Sequence, residues 1–183
     1  MELSGADLRN CFFEGGQNEV ALGYLLVLYE QVPQQQLEAV DQTLLADAQA
    51  EGLTIEVRQL DVCDPESVAT ALTDADTIDV LVNNAGVVFG GPFLEVPLEK
   101  HRLTYRVNVE GTGHIIEFCT SRAHFDRLQY VSTCYVSGDY NGEFPEDDLD
   151  LGQGFLNHYE STKFEAEVLV RRAIKAGLPA TIY

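Results

Sequence analysis

Short runs of apolar and β-branched residues alternate along this chain with longer stretches whose apolar residues recur at helical spacing. The strand-like runs are 24–29 (YLLVLY), 53–62 (LTIEVRQLDV), 77–86 (TIDVLVNNAG), 127–138 (RLQYVSTCYVSG) and 179–183 (PATIY). Between them, 34–52 ends at Gly52, a natural helix stop. A second helix starts at Asp64, an N-cap residue followed by Pro65 at the first helical position. A long helical pattern fills 98–122, with Gly111 and Gly113 in its middle, where glycine implies close approach of another element or a ligand. The last helix, 157–177, stops at Gly177 and Pro179. Strands separated by helices of this length are joined by crossovers, which demand a parallel sheet. The expectation is an α/β fold, a doubly wound parallel sheet, formed by residues 1–183 as a single domain.

Size and charge narrow the function classes. With 183 residues, 45% of them hydrophobic, the chain can bury one sizeable core. No apolar run approaches the roughly 20 residues that span a bilayer, and the start, MELSGADLRN, lacks a basic region followed by an apolar stretch. A cytoplasmic location without membrane attachment is the expectation. The net charge of −19 repels phosphate backbones, so nucleic acid is not an expected partner. Cys11, Cys63, Cys119 and Cys134 form no CxxC pair, and His101, His114, His124 and His158 show no ligand spacing. No metal site and no disulfide framework is expected. The thiols read as reduced and partly buried, with Cys134 packed. The densest charge run, 143–154 (EFPEDDLDLGQG), reads as a surface loop.

Ligands of such sheets bind beyond the carboxyl ends of the strands. Asp61 and Val62 end one strand, Asn83, Asn84, Ala85 and Gly86 the next, and Ser132 and Thr133 a third. Tyr159 and Lys163 follow on the last helix, four residues apart and therefore on one face. These residues converge on one edge of the sheet. Their order then resembles the short-chain dehydrogenase/reductase family: DV at 61–62, NNAG at 83–86, VNVEGT around Asn108, VSTCYVSG at 131–138 and YESTK at 159–163. The likeness covers roughly residues 53–183. VLVNNAGVVFGGPF is similar to the classical branch, whereas LQYVSTCYVSG, NHYESTKFEAE and GLPATIY are similar to the extended branch, of acyl-thioester reductase and epimerase/dehydratase type.

The resemblance implies a Rossmann-like fold and a nicotinamide cofactor, NAD(P), with the choice between NAD and NADP open. It implies hydride transfer between that cofactor and a carbonyl or alcohol of a small-molecule substrate. Tyr159 would be the general acid or base. Lys163 would draw down the phenol's high pKa and hold the nicotinamide ribose. Thr133 would orient the substrate oxygen, and Asn108 would sit in a proton relay. Ser132 is expected to be structural. Asp61, Val62, Asn84, Ala85, Gly86 and Lys163 would face the cofactor.

Two features depart from the family pattern. Neither GxxGxxG nor GxGxxG occurs. SGAD at 4–7 is the nearest remnant of the phosphate-binding turn, and Glu30 is a ribose acceptor or a solvent-facing residue. The chain also stops at Tyr183, where the extended branch continues into its substrate segment. A sheet incomplete at both ends is therefore expected. Two alternatives stay open: a catalytically silent Rossmann-like binding or scaffold protein, fragment or chimera, and a sugar-nucleotide-type epimerase/dehydratase. Homo-oligomerisation is also left open.

Overall fold

A computed structural model describes residues 22–28, 46, 50, 54–73, 78–89 and 93–183. SGAD at 4–7, Glu30, Cys11 and most of the helix expected over 34–52 lie outside those residues. The chain divides into two compact units, Met1–Leu60 and Asp61–Tyr183. In the first, β1 (Leu22–Leu28) pairs in parallel with β2 (Thr54–Leu60), Leu22 opposite Thr54 and Leu28 opposite Leu60.

The second unit carries a three-stranded parallel sheet in the order β3-β4-β5, with β3 at Ile78–Asn83, β4 at Phe125–Tyr130 and β5 at Ala180–Ile182. Asn83 lies opposite Tyr130, and Tyr130 opposite Ile182. The strands therefore end level with one another. Parallel pairing through helical crossovers is what the alternating pattern required.

Helix α1 (Pro65–Ala71) starts as its sequence dictates: the Asp64 carboxylate accepts the Glu66 N–H at 2.9 Å, and Pro65 fills the first turn. The long pattern over 98–122 is a continuous run of α2 (Leu98–Tyr105), a π-helical turn (Arg106–Glu110) and α3 (Gly111–Ser121). Gly111 marks a close approach. A Cβ there would stand 2.8 Å from both methyls of Val62, so the helix can pass only without one. Gly113 has no such neighbour within 4 Å.

The strand expected over 127–138 is shorter. β4 stops at Tyr130, and Cys134–Ser137 forms a 3₁₀ turn. Thr133 ends the extended run because its hydroxyl accepts the Tyr135 N–H and caps that turn. Cys134, expected to pack, is exposed at the start of the turn, while Cys119 is buried.

Helix α4 (His158–Lys175) begins with a capping box: Asn157 Oδ1 accepts the Glu160 N–H at 3.0 Å, and Glu160 Oε1 accepts from Asn157 Nδ2 at 2.7 Å. Its inner stripe is Glu160, Thr162, Lys163, Ala166, Glu167 and Val170. Ala166 and Val170 join Tyr130 in the core, flanked by Ile116, Ala180 and Ile182. The loop after the 3₁₀ turn is tied down. Gly138 adopts φ 53, and a Cβ there would collide with the Gly154 carbonyl oxygen. Gln153 Nε2 donates to the carbonyls of Val136 and Leu149.

Candidate active site

The ends of β3 and β4, the π-helical turn and the first turns of α4 meet in one place. Thr133, just past β4, lies near enough to the Tyr159 phenol on α4 for its side chain to favour the ionised form. The Tyr159 phenol is half-buried, and burial pushes its pKa up; the Thr133 side chain works against that rise, and the nearby Cys134 and Tyr135 side chains add to it.

Lys163 lies one turn further along α4 and is buried. Its ammonium donates to the Tyr130 hydroxyl at 3.1 Å and to the Val131 carbonyl at 2.8 Å. Burial lowers its pKa to about 8, against the raising influence of the Glu167 carboxylate. The expectation that Lys163 pulls the Tyr159 phenol down is not met in this geometry. The phenol is raised, because burial outweighs the influence of Thr133 and the ammonium is directed at Tyr130 and Val131.

Tyr130 bridges the layers. Its buried hydroxyl accepts from Lys163, and burial raises its pKa against the lowering influence of the Thr112 side chain on α3. Thr112 in turn donates to the Asn108 carbonyl at 2.7 Å.

Asn108 sits in the π-helical turn, almost fully buried at 1% exposure. Its Oδ1 accepts the Val87 N–H at 2.9 Å, and its Nδ2 donates to the Val87 carbonyl at 3.1 Å and to Thr162 Oγ1 at 3.0 Å. Both amide hydrogens are committed. The side chain ties the loop after β3 to α4, one residue before Lys163.

That loop carries Asn84, Ala85 and Gly86. Asn84 and Gly86 are exposed, and the Ala85 N–H donates to Asn83 Oδ1 at 3.2 Å. A Cβ on Gly86 would meet only Asn108 Oδ1, at 3.6 Å, so packing alone does not demand glycine there. Asp61 and Val62 open the second unit. Asp61 Oδ1 accepts the Cys63 N–H at 2.8 Å. The Val62 side chain is buried under Gly111, and its carbonyl is 2.8 Å from His114 Nδ1.

Beside Tyr159 lies a small surface cleft lined by Phe89, Val96, His101, Thr104, Asn157, His158 and Tyr159. The His101 and His158 rings meet edge to face, 5.1 Å between centroids. Apart from Tyr159, the cleft residues do not stand out in the sequence as site residues, nor do Tyr130, Thr162 or Glu167. The one signal for the last two is their place on the inner stripe of α4, where polar residues recur at helical spacing.

A dinucleotide's ribose offers hydroxyls to a donor, and Lys163 has three N–H groups, two of them engaged among the described residues. The loop after β3 is exposed at Asn84 and Gly86, beside the Asn108 amide. The donor set therefore fits such a group.

The profile of the NAD-binding family described as male sterility protein matches residues 54–183. The chain belongs to that family. The family's cofactor is a nicotinamide dinucleotide, NAD(P), and its chemistry is oxidoreduction. An uncharacterised oxidoreductase of Bacillus subtilis, YusZ, is 38% identical over 74 residues, covering 39% of this chain and 26% of its own. The thiolation-reductase di-domain of an archaeal non-ribosomal peptide synthetase superposes with a TM-score of 0.68 at 24% identity, over 91% of this chain and 36% of its own. The terminal R domain of the myxalamid PKS-NRPS pathway gives 0.64 at 26% identity, over 87% and 40%. The chain thus spans about a quarter of the length of YusZ and little more than a third of the reductase di-domain. The α/β fold with a parallel sheet, read from the strand–helix alternation, and the Rossmann-like character implied by the resemblance both stand. Among the described residues no helix is long and apolar enough to cross a membrane, and no three His, Cys, Asp or Glu side chains cluster as a metal site.

Proposed function

We propose that this chain is the cofactor-binding and proton-transfer portion of an NAD(P)-dependent reductase acting on a carbonyl. The observation that carries the reading is the half-buried Tyr159 phenol on the edge of the cleft, with the Thr133 side chain beside it and Lys163 one helical turn further along α4. The two non-ribosomal-peptide neighbours, one of them a thiolation-reductase pair, make a carrier-bound acyl thioester the substrate class to try first.

The raised phenol pKa sets the direction of proton transfer. Near neutral pH Tyr159 keeps its proton, so it meets a carbonyl oxygen as an acid. Thr133 holds that oxygen against the phenol. As the proton leaves Tyr159 Oη for the substrate oxygen, negative charge develops on the phenolate. Lys163, with its pKa near 8, is still mostly cationic at pH 7 and stands one turn further along α4, its ammonium held by Tyr130 and Val131. When bound, NAD(P)H supplies the hydride that the carbonyl carbon receives. Lys163 would hold its ribose, and the Asn84–Gly86 loop, together with Asp61 and the Val62 backbone, would border it. Asn108 fixes that loop to α4 and so acts by positioning.

One observation favours the catalytically silent alternative: the Lys163 ammonium is turned to Tyr130 and Val131. Titration with NADH and NADPH, followed by cofactor fluorescence, separates the two readings. The reductase saturates with at least one of them; the silent scaffold binds neither. Tyr159→Phe then lowers turnover of an acyl thioester or aldehyde by about 100-fold or more, with cofactor affinity held. Unchanged hydride transfer in Tyr159→Phe overturns the assignment.

A further inference from the structure

The inner stripe of α4 continues past Lys163 to a carboxylate that the proton transfer above does not use. Glu167 follows Lys163 by four residues, as Lys163 follows Tyr159, so the three share a face. Its side chain is only 3% exposed. A buried carboxylate is costly unless its oxygens are occupied, and both are. Oε2 accepts from the Ser132 hydroxyl at 2.5 Å, and Oε1 accepts from Arg171 Nε at 2.9 Å.

The two partners lead to different parts of the fold. Arg171 reaches outward and donates to the carbonyls of Glu146, Asp147 and Asp148, clamping the acidic loop onto α4. Ser132 leads inward. It directly precedes Thr133, and its own N–H donates to the Tyr183 carbonyl at 2.7 Å. The segment leaving β4 is therefore tied to α4 on two consecutive residues, the Val131 carbonyl to Lys163 and the Ser132 hydroxyl to Glu167. Thr133 comes next in the chain and lies beside the Tyr159 phenol of the same helix.

We propose that Glu167 is a positioning residue: by holding Ser132 it fixes the β4 exit against α4 and so sets the Thr133–Tyr159 geometry. The proposal rests on the reductase reading for its kinetic consequence, but the geometry it asserts is measurable without turnover. A charge-assisted hydrogen bond of this length is at the strong end for side chains, and small displacements at a reacting pair cost rate steeply.

A purely structural role would pass through Arg171, which holds the loop; a positioning role passes through Ser132. Ser132→Ala removes the inward tie and leaves the ion pair intact, and Arg171→Ala does the reverse. The full chain is assayed in both, alongside Glu167→Gln, which keeps an acceptor for Ser132. Two readouts are taken. One is kcat with KM and cofactor Kd. The other is the Tyr159 ionisation followed as tyrosinate absorbance, isolated by subtracting the Tyr159→Phe titration. Thr133, Cys134 and Tyr135 face that phenol, and loss of the Thr133 influence moves its ionisation upward.

The expected result is a fall in kcat of about tenfold or more in Ser132→Ala with cofactor Kd unchanged. The Tyr159 ionisation moves up in the same variant, as it does in Thr133→Val. Arg171→Ala loses thermal stability but keeps the wild-type Tyr159 ionisation, and Glu167→Gln stays closer to wild type than Glu167→Ala. A Ser132→Ala protein with wild-type kcat and wild-type Tyr159 ionisation overturns the proposal. If Tyr159→Phe proves fully active, the reductase reading fails, and the tyrosinate titration still decides whether Glu167 positions the pair.

Discussion

Helices α3 and α4 flank the same sheet, and they bury different chemistry. The inner face of α3 is Gly111, Thr112, Ile115, Phe118 and Cys119, mostly apolar and small. That of α4 is Glu160, Thr162, Lys163, Ala166, Glu167 and Val170, four of six polar or charged. Burial of apolar groups stabilises in proportion to area, whereas a buried ammonium or carboxylate costs free energy unless paired. α3 is therefore a packing helix. α4 gives up packing at Thr162, Lys163 and Glu167, each hydrogen-bonded, and packs against the core at Ala166 and Val170. The contrast marks which of two similarly amphipathic helices carries the site.

Truncation on the packing helix breaks the comparison most severely if it is wrong. Phe118 is 6% exposed, with the Arg122 guanidinium 4.2 Å from its ring centroid. Phe118→Ala is expected to cost about 3–5 kcal/mol of unfolding free energy, while the Tyr159 ionisation and cofactor affinity of the surviving folded protein stay unchanged. Urea denaturation with cofactor titration checks both. A Phe118→Ala protein of near wild-type stability removes the claim that α3 is the packing helix.

A smaller effect sharpens the same claim at the start of α3. Alanine at Gly111 gains about 1 kcal/mol of helix propensity, but its Cβ meets the buried, β-branched Val62 at 2.8 Å. Overpacking of this kind costs about 1–3 kcal/mol, so Gly111→Ala is expected to destabilise by up to about 2 kcal/mol. Adding Val62→Ala recovers most of the loss, which a double-mutant cycle in urea measures. A stabilised Gly111→Ala single variant contradicts the close approach.

The packing helix was legible in the sequence; much of the site helix was not. Asp64–Pro65 announced the start of α1, and the helical pattern carried 98–122 correctly through both glycines. Gly111 was flagged as a close approach and proved to be one, because a backbone constraint of that kind is carried by residue identity alone. β4 was overrun to 138, because Val131, Thr133 and Val136 suit a strand by propensity, whereas the Thr133 hydroxyl caps a turn instead. Cys134 consequently fell on an exposed turn rather than in a packed strand. Tyr159 and Lys163 were visible as a helical pair. The direction of the Lys163 ammonium was not, since Tyr130 lies 33 residues upstream and only the folded sheet brings it under α4. Glu167 does not stand out in the sequence. Its burial depends on Ser132, 35 residues away.

The finest test of the contrast is the pH dependence that only α4 should impose. Lys163 has a folded pKa near 8 against an ordinary value of 10.5, so the folded protein holds this proton less tightly than the unfolded chain. The desolvation cost is present in full below pH 8 and is relieved as pH rises from about 8 towards 10.5, so this group makes stability climb with pH. The slope for one proton is about 1.4 kcal/mol per pH unit at most, which amounts to about 1 kcal/mol between pH 8 and 9. Cys119 on α3 acts oppositely. Burial raises its thiol from 9.0 to about 12, so its contribution is lost as pH climbs above 9. The two helices therefore bend the stability curve in opposite senses, with pH 8–9 belonging to Lys163. Unfolding free energies across that interval should rise in the wild-type chain and in Cys119→Ala, and lose the rise in Lys163→Met. A wild-type curve that is flat from pH 8 to 9, or a Lys163→Met curve that still climbs, shows the ammonium to be less desolvated than its place under Tyr130 implies.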